Sequence, residues 1–283
     1  MNPESDTGPR SDRRFGAIIV GDEILSGKRK DKHLAHLIGL LAERGLALGW
    51  ARYVGDDRND LVATLTETLA GPDVVFSFGG IGATPDDHTR QAAALALRCS
   101  LRLHPEAERC IALRCTEMAR EGRGSTDMTT PENLQRLRMG EFPVGAGIIE
   151  NPYNRIPGFS VGDHWFLPGF PVMAWPMAAA VLDTRYLDLH HRHAVFDRSL
   201  LLYDTPESRI APLMEEIGSA VPGARLYSLP SVGEDGSPPH IEFGVRGARE
   251  AVDAAWKLIE QGVLALGARV ERMPSSGEGS IPG

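Results

Sequence analysis

Cysteine is scarce in this 283-residue chain: only Cys99, Cys110 and Cys115 occur, with no C-x-x-C pair. That spacing gives no support to a disulfide framework, and thiols in or beside helical patterns read as buried and free. Long apolar runs are missing as well. No stretch approaches the ~18 residues of a membrane span, and the polar start from Met1 to Arg14 has no apolar targeting core, so the expected location is the cytoplasm, away from membranes. Positive charge is in deficit. A formal net charge of −8 argues against a nucleic-acid partner, which wants a broad basic face. No internal repeat is evident. What remains, 42% hydrophobic residues, suffices for one large domain or two smaller ones.

Several familiar sites are also missing. Gly21 to Lys28 is one residue too long for a P-loop, and Arg29 stands where Ser or Thr should hold Mg²⁺. Gly158 to Gly162 spells G-x-S-x-G, but the residues after it read as a turn and a second strand, which makes Ser160 a hairpin residue instead of a nucleophile on an elbow. His33 and His36 have the wrong spacing for a zinc pair, and His190, His191 and His193 sit in a polar connector. Met173, Trp175, Met177 and Trp256 read as helix packing.

Strands and helices alternate in the first part of the chain. Phe15–Val20 reads as a strand, followed by a helix with Leu34, Leu37, Ile38 and Leu41 on one stripe and stopped by Gly45. Leu46–Val54 is the next strand, Arg58–Leu69 the next helix, Val74–Phe78 a third strand, and Gln91–Arg98 a third helix. This order implies a mostly parallel sheet whose crevice lies beyond the carboxyl ends of its strands. There the sequence carries Gly21-Asp22-Glu23, Gly55-Asp56-Asp57 and the run Gly79 to Arg90. Glycines admit a ligand to the backbone, and adjacent acids beside a phosphate cradle suit a bridging cation. Asp56, Asp57, Asp86 and Asp87 also have a simpler reading as helix caps. Lys28, Arg29, Lys30 and Lys32 can meet phosphates at the mouth, or belong to a solvated helix start.

Farther on, helices are expected at Pro105–Arg120, Pro131–Met139 and Met173–Leu182, and strands at Val144–Glu150 and within Phe159–Leu167. A β-α-β-β-α order from Ser199 to Ala265 fits a small split βαβ unit lacking one strand. The expected organisation is therefore a disordered tail (1–14), a domain at 15–185, a small α+β domain at 195–267 and a second tail (268–283).

The acid and glycine motifs, together with Leu167-Pro168-Gly169-Phe170-Pro171, resemble those of the CinA-type competence/damage-inducible proteins, within the molybdopterin-binding superfamily that includes MoaB and MogA. That resemblance implies a three-layer α/β/α domain with a smaller α+β accessory domain, and a homo-oligomer, dimer or trimer. It implies a molybdopterin or nucleotide as ligand, with Mg²⁺ or another divalent cation, and either adenylyl transfer to a pterin phosphate or hydrolysis of an ADP-ribose-type diphosphate. A binding module without catalysis is the competing expectation. By the resemblance, Asp87 and Asp56 match catalytic aspartates and are the expected metal ligands; Asp86 is a further catalytic candidate, since it or Asp87 can orient an attacking water. The ligand and its phosphate are expected against Gly21, Asp22, Glu23, Ser26, Gly27, Gly79, Gly80, Ile81, Gly82, Thr84, Asn151, Gly158, Pro168 and Gly169. Ala83 stands where CinA-type loops commonly have proline, and Ile81 where MogA-like loops have threonine. The amidohydrolase domain of many CinA proteins has no counterpart in these residues, so nicotinamide mononucleotide deamidase activity is not implied.

Overall fold

The computed structural model describes residues 13–192, 196–233 and 236–273. The chain divides into two units, Met1–His190 and His191–Gly283. In the first, β1 (Phe15–Val20) leads through a single-turn helix α1 (Asp22–Leu25) to α2 (His33–Ala42), β2 (Leu48–Val54), α3 (Arg58–Leu69), β3 (Val74–Phe78) and α4 (Thr89–Ala96). There follow β4 (Leu101–Leu103), α5 (Pro105–Arg120), α6 (Pro131–Arg138), β5 (Glu141–Pro143), β6 (Gly147–Ile149), β7 (Gly158–Val161), β8 (His164–Leu167) and α7 (Pro171–Arg185).

Side-chain alternation produces the layers. Phe15, Ala17 and Ile19 of β1, with Val74, Phe76 and Phe78 of β3, pack against Leu37, Leu40 and Leu41 of α2 and Ala174, Met177 and Val181 of α7. The intervening Ile18, Val20 and Val75 face the other way, onto Leu61 and Leu65 of α3 and Ala92 and Ala93 of α4. Period two along a strand thus splits one apolar run between two cores. Each fully buried leucine contributes about 1.5–3 kcal/mol. The sheet order is β2-β1-β3-β8-β7-β6. Its first four strands are parallel, and β7 and β6 are joined antiparallel. This is the expected α/β/α, mostly parallel architecture.

The order of the strands positions the crevice. β1 and β8 hand over to helices on one face, whereas β3, which lies between them, hands over to α4 on the other. Neighbouring connections leave in opposite directions and open a cleft at the carboxyl ends.

Several expectations change. β2 starts at Leu48 because Leu46 N–H still donates to Leu41 O, closing α2 around Gly45 at φ +68°. The single strand expected over Val144–Glu150 is broken by Gly145 at φ +90°; residues before it pair with β4 as a separate ribbon, and Gly147–Ile149 joins the main sheet. Arg13 and Arg14, expected in the tail, are tied to Asp163 and Asp73. Ser160 does lie in the β7–β8 hairpin. The rest of the expected tails, 1–12 and 274–283, and His193 of the connector lie outside the described residues.

The second unit contains β9 (Phe196–Tyr203), α8 (Glu207–Ala220), β10 (Arg225–Ser231), β11 (His240–Gly247), α9 (Arg249–Ala265) and β12 (Arg269–Arg272). Its antiparallel order β10-β11-β9-β12 packs Leu200, Leu202, Ile241, Phe243 and Val245 beneath Ile210, Ile217, Val252 and Ile259 of the two helices. The strand expected to be missing is β12. It escapes sequence reading because all four of its residues are exposed and three are charged.

Candidate functional site

β3 runs into a loop that only glycine can form. Gly79 and Gly80 hold φ of +103° and +67°; a Cβ on Gly79 would stand 2.5 Å from Val20 O, and one on Gly80 2.2 Å from Thr89 Oγ1. Thr89, fully buried at the start of α4, donates its hydroxyl to Gly79 O (3.1 Å) and its N–H to Gly80 O (3.0 Å). Arg90, also buried, donates to Gly82 O (2.5 Å) and to Arg138 O, and the Gln135 amide donates to Ala83 O. Across a trans peptide the N–H points opposite to the carbonyl. The N–H groups of Gly80, Ile81 and Ala83 lie opposite carbonyls drawn into the protein, and these three, with the Gly82 N–H, meet no acceptor among the described residues. A row of free N–H groups like this can receive an anion.

Acids gather beside it. Asp87 Oδ2 accepts from Thr84 N–H (2.9 Å) and from the Thr84 hydroxyl, an approach possible because a Cβ on Gly82 would sit 2.4 Å from that same oxygen. Thr84 also lies against Asp86 and holds its carboxyl below the usual range. Asp22 N–H donates to Asp56 Oδ2 (2.9 Å) and Asp56 N–H returns the bond to Asp22 Oδ1 (3.1 Å), cross-linking the loops after β1 and β2. Burial pushes the Asp56 carboxyl up against the pull of that N–H, and the charges of Asp22, Glu23 and Asp86 add to the rise. Asp57, its neighbour, caps α3 by accepting from Asn59 and Asp60 N–H.

Among the described residues no group of three or more His, Cys, Asp or Glu side chains is arranged to hold a metal ion. The donor set does suit a hard cation that takes one or two carboxylates and completes its shell from ligand phosphate and water. The like charges crowding Asp56 fit such a cation.

Opposite charge stands elsewhere on the lining, at Arg29, Lys30 and Lys32. Next to them His33 stacks on Phe78 with centroids 4.6 Å apart, and its Nε2 lies 3.1 Å from Gly169 O. Burial lowers its pKa, and because a carbonyl only accepts, this contact places a proton on Nε2. Ile24, Phe78, Ile156 and Met173 supply apolar surface, and the cavity encloses about 830 Å³.

Gly21, Glu23, Asp56, Gly79, Gly80, Ile81, Gly82, Thr84, Asp86, Asp87, Asn151, Pro168 and Gly169 all line this one cavity. Four expected residues do not. Gly158 belongs to β7, where a Cβ would stand 2.4 Å from Phe166 O; its smallness serves sheet packing. Ser26 and Gly27 end α1, donating to Asp22 O and Ile24 O, and Asp22 acts through its bonds to Asp56. Sequence reading weighed His33 only as a zinc ligand and set it aside, passed over Asn154 and Ile156, and assigned Met173 to packing alone, although all four line the cavity. Asp31, two residues earlier, accepts from His33 and Leu34 N–H at the start of α2, a local feature that does not mark His33 as part of a cavity.

A family described as "Probable molybdopterin binding domain" matches residues 16–187. A CinA-like protein of Anaeromyxobacter sp. (strain Fw109-5) is 30% identical over 258 residues, 89% of this chain and 56% of that one. A protein of Pyrobaculum arsenaticum is 30% identical over 263 residues, 89% of this chain and 94% of its own. Among solved structures, the protein CinA with unknown function from Thermoplasma acidophilum is 28% identical, covers 60% of this chain and 98% of that one, and superposes with a TM-score of 0.51. The chain spans about half the length of the CinA-like relatives it matches. Among the described residues, no helix is long and apolar enough to cross a membrane.

Proposed function

This chain belongs to the probable molybdopterin binding domain family, and we propose that its crevice takes a phosphate-bearing pterin or nucleotide and catalyses metal-dependent chemistry at a phosphoanhydride. The observation that carries the reading is the row of uncommitted N–H groups from Gly80 to Ala83 beside Asp56, Asp86 and Asp87. Preorganised donors of this kind stabilise charge that grows on phosphate oxygens in the transition state. In hydrolysis a water oxygen attacks one phosphorus of a diphosphate; the bond to the bridging oxygen breaks, and the leaving phosphate keeps the electron pair. Asp86, exposed and held as a carboxylate, orients the attacking water, whose proton passes to solvent. In adenylyl transfer a pterin phosphate oxygen takes the place of the water and pyrophosphate departs. Asp56 and Asp87 would hold the divalent cation, which when bound neutralises charge on the leaving oxygen.

The test is a panel of ADP-ribose, dinucleotides, and ATP with a pterin phosphate, in Mg²⁺, Mn²⁺ or Co²⁺. Asp87→Asn, folded by circular dichroism, should lower turnover by about 100-fold or more. Unchanged turnover in that variant would remove Asp87 from the chemistry.

One observation favours a binding-only module: Asp87 is already engaged by both donors of Thr84. That reading predicts tight pterin or nucleotide binding and no turnover with any cation.

A further inference from the structure

The cavity is charged with opposite signs on different parts of its lining. Acids accompany the glycine loop, while Arg29, Lys30 and Lys32 supply cations from the segment between α1 and α2. These three side chains are exposed, and among the described residues none of them forms an ion pair. The acid among them forms no ion pair with them: Asp31 accepts from His33 N–H (2.8 Å), Leu34 N–H (3.1 Å) and the Tyr53 hydroxyl (2.9 Å). The backbone is tied at both ends of the segment, by Arg29 N–H on Glu23 O (2.9 Å) and by His33 N–H on the Asp31 carboxylate (2.8 Å). Three cations on one short segment thus face the cavity without an ion pair among the described residues, free to meet an anion that enters it. Size agrees, since about 830 Å³ lies toward the upper end of the ~300–1,000 Å³ typical of small-molecule sites and is far more than one phosphate fills.

Building on the phosphate reading above, we infer that the ligand carries two separate anionic groups. One phosphate or diphosphate sits on the Gly80–Ala83 cradle, and a second, a phosphomonoester elsewhere on the same molecule, is met by Arg29, Lys30 and Lys32. The chemical class is a nucleotide bearing an additional terminal phosphate. Arg29 can grip such a group with two parallel N–H bonds, and the two lysines act as point charges.

The experiment compares ligand pairs that differ by one phosphomonoester: AMP with adenosine 3′,5′-bisphosphate, and ADP-ribose with its 2′-phosphate. Calorimetric titration of the full chain at low ionic strength should show the extra phosphate tightening binding by about tenfold or more. In the triple variant Arg29→Gln, Lys30→Gln, Lys32→Gln the ratio within each pair should fall to about twofold or less, and in wild type it should shrink as salt is raised. All three positions are exposed, and circular dichroism checks that the variant folds. Equal affinities within each pair for wild type, with both members bound, would overturn this inference and leave the phosphate cradle standing, as would a ratio that survives in the variant. Absence of binding by every probe would overturn both.

Discussion

Acid should weaken this fold through one buried imidazole. His164, at the start of β8, is 3% exposed, and its Nε2 has no partner among the described residues. Burial lowers its pKa from 6.5 to about 4, although Asp163 and Asp73 pull the other way. A depressed folded-state value means that the unfolded chain takes up the proton first. The stability tied to neutral His164 is therefore complete above pH 6.5 and drains away as the pH falls toward about 4. Each pKa unit is worth ~1.4 kcal/mol, so the whole difference is about 3 kcal/mol, of which about 2 kcal/mol is lost between roughly pH 7.5 and pH 5. Urea unfolding at those two pH values, followed by tryptophan fluorescence, reads this directly, because Trp50, Trp165 and Trp175 all belong to the first unit. His33 is shifted in the same direction and contributes its own slope. The decisive comparison is thus with His164→Leu, which should lose about 2 kcal/mol less than wild type over the same interval. Equal losses in the two proteins would refute the reasoning.

Gly79→Ala should lower the thermal midpoint and abolish ligand-induced stabilisation, costing at least about 1–3 kcal/mol for a Cβ in the left-handed region pressed on Val20 O. Asp57→Ala should cost about 1 kcal/mol in denaturant melts through the lost α3 cap, with ligand affinity unchanged. Asp56→Asn should raise the melting temperature of the ligand-free protein near neutral pH, since it removes a carboxylate that burial and three neighbouring acids disfavour, while turnover falls. A melting temperature that drops would show that the bond from Asp22 N–H outweighs that crowding.

Much of this was legible from residues alone, for identifiable reasons. The Val74–Phe78 run reads as a buried strand, which it is on both faces, and the glycines after it let the backbone turn where side chains would clash. Asp57 was readable as a cap because capping is local. Long-range roles left no such trace. Gly158 looks in sequence like a glycine that admits a ligand, yet what it admits is Phe166 O. His33 owes its place to Gly169, 136 residues away, and no spacing rule links them. β12 has no apolar residue to spare for a pattern beyond Val270, and that side chain is itself exposed.

Gly79 N–H donates to Leu167 O (3.0 Å), so the glycine loop is fastened to the last residue of β8. Eighty-eight residues of chain separate these two atoms. During synthesis the cradle therefore cannot be completed until β8 has been made and has seated against β3, which is among the later long-range pairings of the sheet. A ligand that needs the finished cradle discriminates against every state in which β8 is detached, and at a concentration 100 times its Kd it would add about 2.7 kcal/mol to the closed form. Occupancy of the crevice and completion of the sheet are in this sense one equilibrium.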